Sequence, residues 1–337
     1  MAVKNILVQI HGMTTVEGPM SHKQEYDDLL AALLKVEPTL KFDDRATVEW
    51  GHWQPDYVFA NLRPDQRIAP AEKTISAQVS YQNVAKNRGP LEHILGPLDD
   101  LPEKLTVRHV TEPVKESAEI YGVTDVIYYA SPDGEESIRN TVYGQVLSTM
   151  GPFRTAIEAG DSSEVRLHLI AHSLGVTIAF DFLFGLFAPD EYLSGGKPGF
   201  VSNKNTGDGD IESYMFWREQ AKAGRLTLGS KVSAASQLPL LIMRKQKLVD
   251  QLARGELLDP VLIGIKPDGP VCWRLYYQVE DILGFPSRRL FRNESRIEEF
   301  EVYNSWRPDE AHTGYWNNDV VIKTAAALIK SRLSDQG

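Results

Sequence analysis

Ala171-His172-Ser173-Leu174-Gly175 is the segment of this chain whose residue types and spacing suit covalent chemistry. It follows a strand-like run, residues 165–170, and leads into a strongly apolar helix that extends to about Phe187. A serine on a sharp strand-to-helix turn projects its hydroxyl out of the backbone. The first amides of the helix lie beside it with no intrahelical acceptor. The position two residues on must be small, because the helix packs back tightly on the strand, and Gly175 satisfies that. Two residues before, where such turns usually carry glycine, stands Ala171, the smallest alternative. The Leu174 N–H then points at the place where an oxyanion would form. The other reading of Ser173 is a plain helix N-cap.

A serine hydroxyl is a poor nucleophile at neutral pH and needs a base held by an orienting acid. Of the eight histidines, His312 alone follows Ser173, which makes it the candidate base in the chain order serine, acid, histidine. It falls between the last strand and the last helix, in a stretch read as a loop. For the acid, the loop after the penultimate strand is the expected place, and it contains Glu280-Asp281-Ile282-Leu283-Gly284-Phe285-Pro286. Asp281 is the choice there, with Glu280 left open beside it. A second oxyanion amide is expected from Met13, because Gly12 in His11-Gly12-Met13 lets the chain turn at the exit of the first strand. His11 reads as a supporting hydrogen-bonder, and His172 and Gly175 as supporting members of the turn. His168 and His172 are four apart but lie on a strand and its turn, so no metal pair is expected.

The elements that must position these residues alternate strand with helix. Strands are predicted at 5–10, 46–50, 125–129, 165–170, 226–230 (with a Gly229-Ser230 exit), 272–277 and 297–302. Helices are predicted at about 21–36, 135–158 (broken near Gly151-Pro152), 174–187, 240–254 and 318–333. That order implies an α/β fold with a mostly parallel central sheet and helices on both faces, where functional groups collect at the carboxyl ends of strands. Residues 54–117 carry seven prolines without a clear period and read as an insertion. A second insertion is read at 188–224. The aromatic residues in and before it (Phe184, Phe187, Tyr192, Phe200, Tyr214, Phe216, Trp217) either line an acyl pocket or lid, or pack as an ordinary helix.

Composition narrows the classes. The 337 residues are 42% hydrophobic, enough for a large core, and acids outnumber bases 46 to 36 for a net charge of −10. An acidic chain is a poor nucleic-acid binder. One cysteine, Cys272, excludes an intramolecular disulfide and a cysteine-based zinc site, and its apolar surroundings suit an inert buried thiol. No stretch approaches the length of a membrane span, and the apolar run near the N-terminus is too short for a signal sequence. The expectation is a soluble, cytoplasmic protein.

With these residues in hand the chain resembles the α/β-hydrolases, specifically the bacterial lipase- and esterase-like members. The resemblance rests on His11-Gly12-Met13, the 171–175 turn, Gly229-Ser230, residues 281–286 and His312-Thr313-Gly314-Tyr315-Trp316, spanning nearly the whole chain. It implies one hydrolase domain over 1–337, with 54–117 and 188–224 as cap or lid. It implies Ser173 as nucleophile, Asp281 as acid, His312 as base, and Met13 and Leu174 as oxyanion amides, with no metal or cofactor. The implied partner is a small-molecule ester or acyl substrate. Thioester or amide hydrolysis and acyl transfer would use the same residues, and a non-catalytic hydrolase-like binding protein is the alternative of another class.

Overall fold

The computed structural model describes residues 2–12, 22–50, 126, 129, 130, 132–193, 208–292 and 296–333. The insertion read at 54–117 therefore lies outside the described residues, as do Met13 and the stretch 194–207 within the second insertion.

In chain order the elements are β1 (Val3–Ile10), α1 (His22–Val36), β2 (Asp44–Val48), α2 (Pro132–Glu158), β3 (Glu164–His172), α3 (Leu174–Phe187), α4 (Asp208–Lys222), β4 (Leu226–Ala234), α5 (Leu238–Leu241), α6 (Gln246–Ala253), β5 (Trp273–Tyr277), β6 (Ile297–Glu301), α7 (Pro308–Thr313) and α8 (Asp319–Leu333). The strands form one six-stranded sheet in the order β2-β1-β3-β4-β5-β6, and every pairing is parallel. Parallel strands need crossover connections, and crossovers place helices on the faces of the sheet. Alternating side chains divide the core accordingly. Ile6, Val8 and Ile10 of β1 join one cluster with α2, α3 and α4. Leu7 joins the other, which holds α1 and α8. α3 is buried from Leu174 to Leu186, which explains why its sequence is apolar all round rather than amphipathic. Among the described residues no helix is long and apolar enough to cross a membrane.

Four elements differ from the sequence expectation. Within the segment 125–129, the described residues Val126 and Tyr129, with Ala130 after them, are helical where a strand is predicted. A four-residue apolar run, Val126 to Tyr129, carries no period that separates strand from buried helix. α2 continues through Pro152 rather than breaking at it. Its apolar face, with Val142, Val146, Leu147 and Met150 buried in the core, outweighs the one lost hydrogen bond. Gly229-Ser230 does not end its strand either, since β4 runs on to Ala234. The pairing of β3 with β4 shifts register between Leu167 and His168, leaving Gly229 as a bulge. A Cβ on Gly229 would sit 2.5 Å from His168 Cε1, so glycine is what lets the His168 ring lie there. That ring accepts from the Ser230 hydroxyl (2.8 Å) and donates to Asn5 Oδ1 (3.0 Å). Burial lowers the His168 ring to about 3, so it stays neutral as a structural bridge. The helix expected over 240–254 is divided into α5, a 3-10 turn at Ile242–Arg244, and α6.

The bulge also turns Lys231 into the core. Its Nζ lies 3.9 Å from the Trp273 ring centroid and 5.8 Å from that of Phe180, with no hydrogen-bond partner among the described residues. Burial lowers the ammonium from 10.5 to about 7, only partly offset by the charge of Asp181. Between these two values the unfolded chain holds a proton that the folded chain has released, so stability rises with pH across that window. Lys231→Met is therefore expected to raise the melting temperature at pH 7 by about 5 °C and to flatten its rise toward pH 10. Melts followed by circular dichroism from pH 6 to 10 measure both, and identical profiles in the two proteins would contradict the assignment.

Candidate active site

β3 ends at His172, and the next residue is forced into a conformation that side chains seldom adopt. Ser173 has φ +53° and ψ −126°, at the turn into α3. Such strain persists only where the surroundings over-determine it. Here the Ser173 amide donates to the Ala234 carbonyl at 2.9 Å, fixing the turn to the end of β4. Two glycines make room. A Cβ on Gly175 would stand 2.4 Å from the His11 carbonyl oxygen and 2.5 Å from that of Ile10, so α3 packs directly on the end of β1. A Cβ on Gly12 would stand 2.6 Å from Ser173 Cβ. The Ser173 side chain makes no capping hydrogen bond to α3, which sets aside the helix-cap reading. Its Oγ instead donates to His312 Nε2 at 3.0 Å and accepts from Gln237 Nε2 at 3.1 Å.

His312 lies near the end of the short helix α7, after β6, not in a loop. Its Nδ1–H donates to Asp281 Oδ1 at 2.8 Å, which assigns the neutral tautomer with Nε2 free to accept from Ser173. Asp281, buried, follows β5 and meets His312, whereas the neighbouring Glu280 accepts from Gln278 Nε2 and is exposed. The Leu283 and Gly284 amides donate to Asp281 Oδ1 at 3.0 and 2.9 Å, and the Tyr315 hydroxyl donates to Oδ2 at 2.9 Å. Burial alone would raise this carboxyl. Its hydrogen bond and charge interaction with His312, with the Leu283 amide and the Tyr315 hydroxyl, outweigh burial and hold it below the usual carboxylate range. A carboxylate kept ionised on Nδ1–H both orients the ring and stabilises the imidazolium that appears when Nε2 takes a proton.

The supporting histidines hold backbone rather than offering chemistry. His172 Nε2–H donates to the His312 carbonyl at 2.8 Å. Burial, reinforced by the charge of His312, lowers the His172 ring to about 4, so it remains neutral. His11 donates from Nδ1 to the Gly12 carbonyl at 2.7 Å and accepts from the Trp50 amide at 3.1 Å. Its ring stacks between those of His22 and Trp50. The first residue of α3, Leu174, carries an amide with no intrahelical acceptor, directly beside Ser173. Met13, expected to give a second such amide, lies outside the described residues.

Of the aromatic residues ascribed to an acyl pocket or to helix packing, Tyr214 and Trp217 of α4 are buried in the core against α2 and α3. Phe184 and Tyr192 lie beside them, meeting edge to face. Phe200 lies outside the described residues. Cys272 is buried, and burial raises its thiol, consistent with an inert side chain.

Two contributors escape a reading of the sequence. Gln237 reaches the Ser173 hydroxyl from just beyond β4. The signal was available: extending β4 four residues past Ser230 would have set Gln237 at a strand's carboxyl end. Tyr315, three residues after His312, closes on Asp281 because α7 runs straight into the 3-10 turn Gly314–Asn317. Among the described residues no group of three or more His, Cys, Asp or Glu side chains is placed to hold a metal ion. No protein-family model, no curated protein and no solved structure matches this chain.

Proposed function

We propose that this chain is a serine hydrolase of the α/β-hydrolase type that cleaves carboxylic esters through an acyl-enzyme. The observation that carries the reading is the relay of two hydrogen bonds, 3.0 Å from Ser173 Oγ to His312 Nε2 and 2.8 Å from His312 Nδ1 to Asp281 Oδ1. The order of its members along the chain adds support: serine after β3, acid after β5 and histidine after β6, all at carboxyl ends of parallel strands.

In this mechanism Ser173 Oγ attacks the ester carbonyl carbon as its proton passes to His312 Nε2. The carbonyl π electrons move onto oxygen, and the oxyanion is met by the Leu174 amide. When the tetrahedral adduct collapses, the C–O bond to the leaving alcohol breaks and His312 returns the proton to that alcohol. Water then repeats the sequence on the acyl-enzyme, releasing the acid and restoring Ser173. Asp281 stays ionised throughout and pairs with the transient imidazolium.

A fluorophosphonate probe tests the reading. The folded chain is expected to label at Ser173, located by peptide mass spectrometry, and to lose labelling after heat denaturation. Absence of labelling in folded protein would favour a non-catalytic binding protein instead.

Gln237 contributes a positioning role. Its donation to Oγ favours the developing alkoxide and holds the hydroxyl toward the base. Gln237→Leu keeps the bulk and removes the donor, so kcat on p-nitrophenyl acetate is expected to fall about tenfold, the scale of one hydrogen bond. An unchanged KM alongside that fall would separate positioning from substrate binding.

A further inference from the structure

His312 and Tyr315 come from one continuous piece of chain, α7 running into the 3-10 turn Gly314–Asn317. Residues three apart in such a turn lie on the same face, and both side chains close on Asp281. Their hold is divided between the two carboxylate oxygens. Oδ1 accepts from His312 Nδ1–H together with the Leu283 and Gly284 amides. Oδ2 accepts from the Tyr315 hydroxyl at 2.9 Å, its one hydrogen-bond donor among the described residues. Room for Oδ2 at that place depends on Gly284, where a Cβ would stand 2.3 Å from it.

A carboxylate turns readily about its Cβ–Cγ bond, and an imidazole N–H can donate to either oxygen. A second donor on Oδ2 removes that freedom and fixes the carboxylate plane. The Tyr315 hydroxyl is suited to remain a donor. The residue is fully buried, and burial, with the charge of Asp281, raises its phenol above the usual range, against a smaller opposing effect of the Gln278 backbone. Each hydrogen bond also draws charge from a carboxylate, which weakens its attraction for a neighbouring cation. Three other titratable groups lie about the relay. His172, at the end of β3, has its ring centroid 5.0 Å from that of His312 and stays neutral. Glu25 of α1 acts through its charge on His172. Glu280, beside Asp281, pairs with Gln278. None of the three donates to Asp281, so Tyr315 is the side chain besides His312 that does so among the described residues.

We propose that Tyr315 is a positioning residue of this relay: it fixes the Asp281 carboxylate with Oδ1 toward His312 and draws charge from it, so that the relay works at lower pH than His312 and Asp281 alone would allow. The inference rests on the serine-hydrolase reading. Without the hydroxyl, more of the carboxylate charge acts on the imidazolium, which then keeps its proton to higher pH. A ring that carries that proton cannot take another from Ser173. The loosened carboxylate also orients Nδ1 less well, which slows turnover at every pH.

Tyr315→Phe keeps the ring in place and removes the hydroxyl. Turnover of p-nitrophenyl acetate and the rate of fluorophosphonate labelling, each followed from about pH 5 to pH 9 beside the wild type, test the inference. The variant is expected to lose about fivefold in kcat on the plateau with KM unchanged, and its acid limb is expected to move up by about half a pH unit in both assays. Tyr276→Phe is the structural control, since it removes a phenolic hydrogen bond to Thr324 within the same apolar cluster. Its profile is expected to superimpose on that of the wild type. A Tyr315→Phe acid limb that stays in place or moves to lower pH, or a shift that Tyr276→Phe reproduces, would overturn the inference and leave the triad standing. A wild-type chain that neither turns over nor labels would overturn the hydrolase reading and this inference with it.

Discussion

Ser173→Ala is expected to lower kcat on p-nitrophenyl acetate by at least about a thousandfold while the protein keeps its fold. The magnitude follows from what the substitution removes. Without Oγ no acyl-enzyme forms, and the remaining rate comes from the oxyanion amide and from binding alone. The fold is retained because the turn at Ser173 is held by its own amide on Ala234 and by the glycines around it, not by the hydroxyl. His312→Gln and Asp281→Asn should fall toward the same floor, and combining them with Ser173→Ala should cost little more, since the three groups act as a unit. Steady-state assays on purified variants, with far-UV circular dichroism as the control for folding, decide the matter. A Ser173→Ala protein that turns over at the wild-type rate would rule out the proposed nucleophile.

The second large effect is expected from a residue with no functional group. Gly175→Ala adds one methyl group, which would stand 2.4 and 2.5 Å from two carbonyl oxygens at the end of β1. Both are backbone atoms, of Ile10 at the end of β1 and of His11 just after it, and β1 is paired on both sides in the sheet, so neither can swing aside. α3 must move instead, and Ser173 moves with it. Overpacking of this kind costs about 1–3 kcal/mol. The displacement of the nucleophile from His312 is expected to lower kcat by about a hundredfold, since catalytic geometry tolerates little misplacement. Denaturant titration and the esterase assay read the two effects separately. Normal activity in a folded Gly175→Ala protein would show that α3 does not depend on this close approach to hold Ser173.

Both effects trace back to how differently the parts of the site are written along the chain. The strand, serine and helix of 164–187 are consecutive, and so are the signals that encode them: an apolar run, a small residue two after the serine, and an apolar helix. The parallel sheet likewise follows from the alternation of strand and helix, a property of neighbouring segments. Where the local signal is ambiguous, the sequence misleads. Residues 126–129 offer four apolar positions, too few to show a period, and Gly229-Ser230 has the composition of a turn but is a bulge inside a strand whose neighbour packs a histidine over it.

The sequence by itself determined the class of fold, the serine at a strand-to-helix turn, and a single downstream histidine able to serve it. The tertiary structure decided which acid meets that histidine, because Asp281 and Glu280 are adjacent carboxylates and the course of the chain after β5 turns Asp281, not Glu280, toward His312. It also brought Gln237, 64 residues away, onto the Ser173 hydroxyl, and Arg139 and Arg244, 42 and 63 residues away, onto the buried Asp181 carboxylate. Local patterns report the conformational preferences of adjacent residues. Contacts between distant ones exist only when strand order and register bring their side chains within reach, and neither residue carries a mark of the other until then.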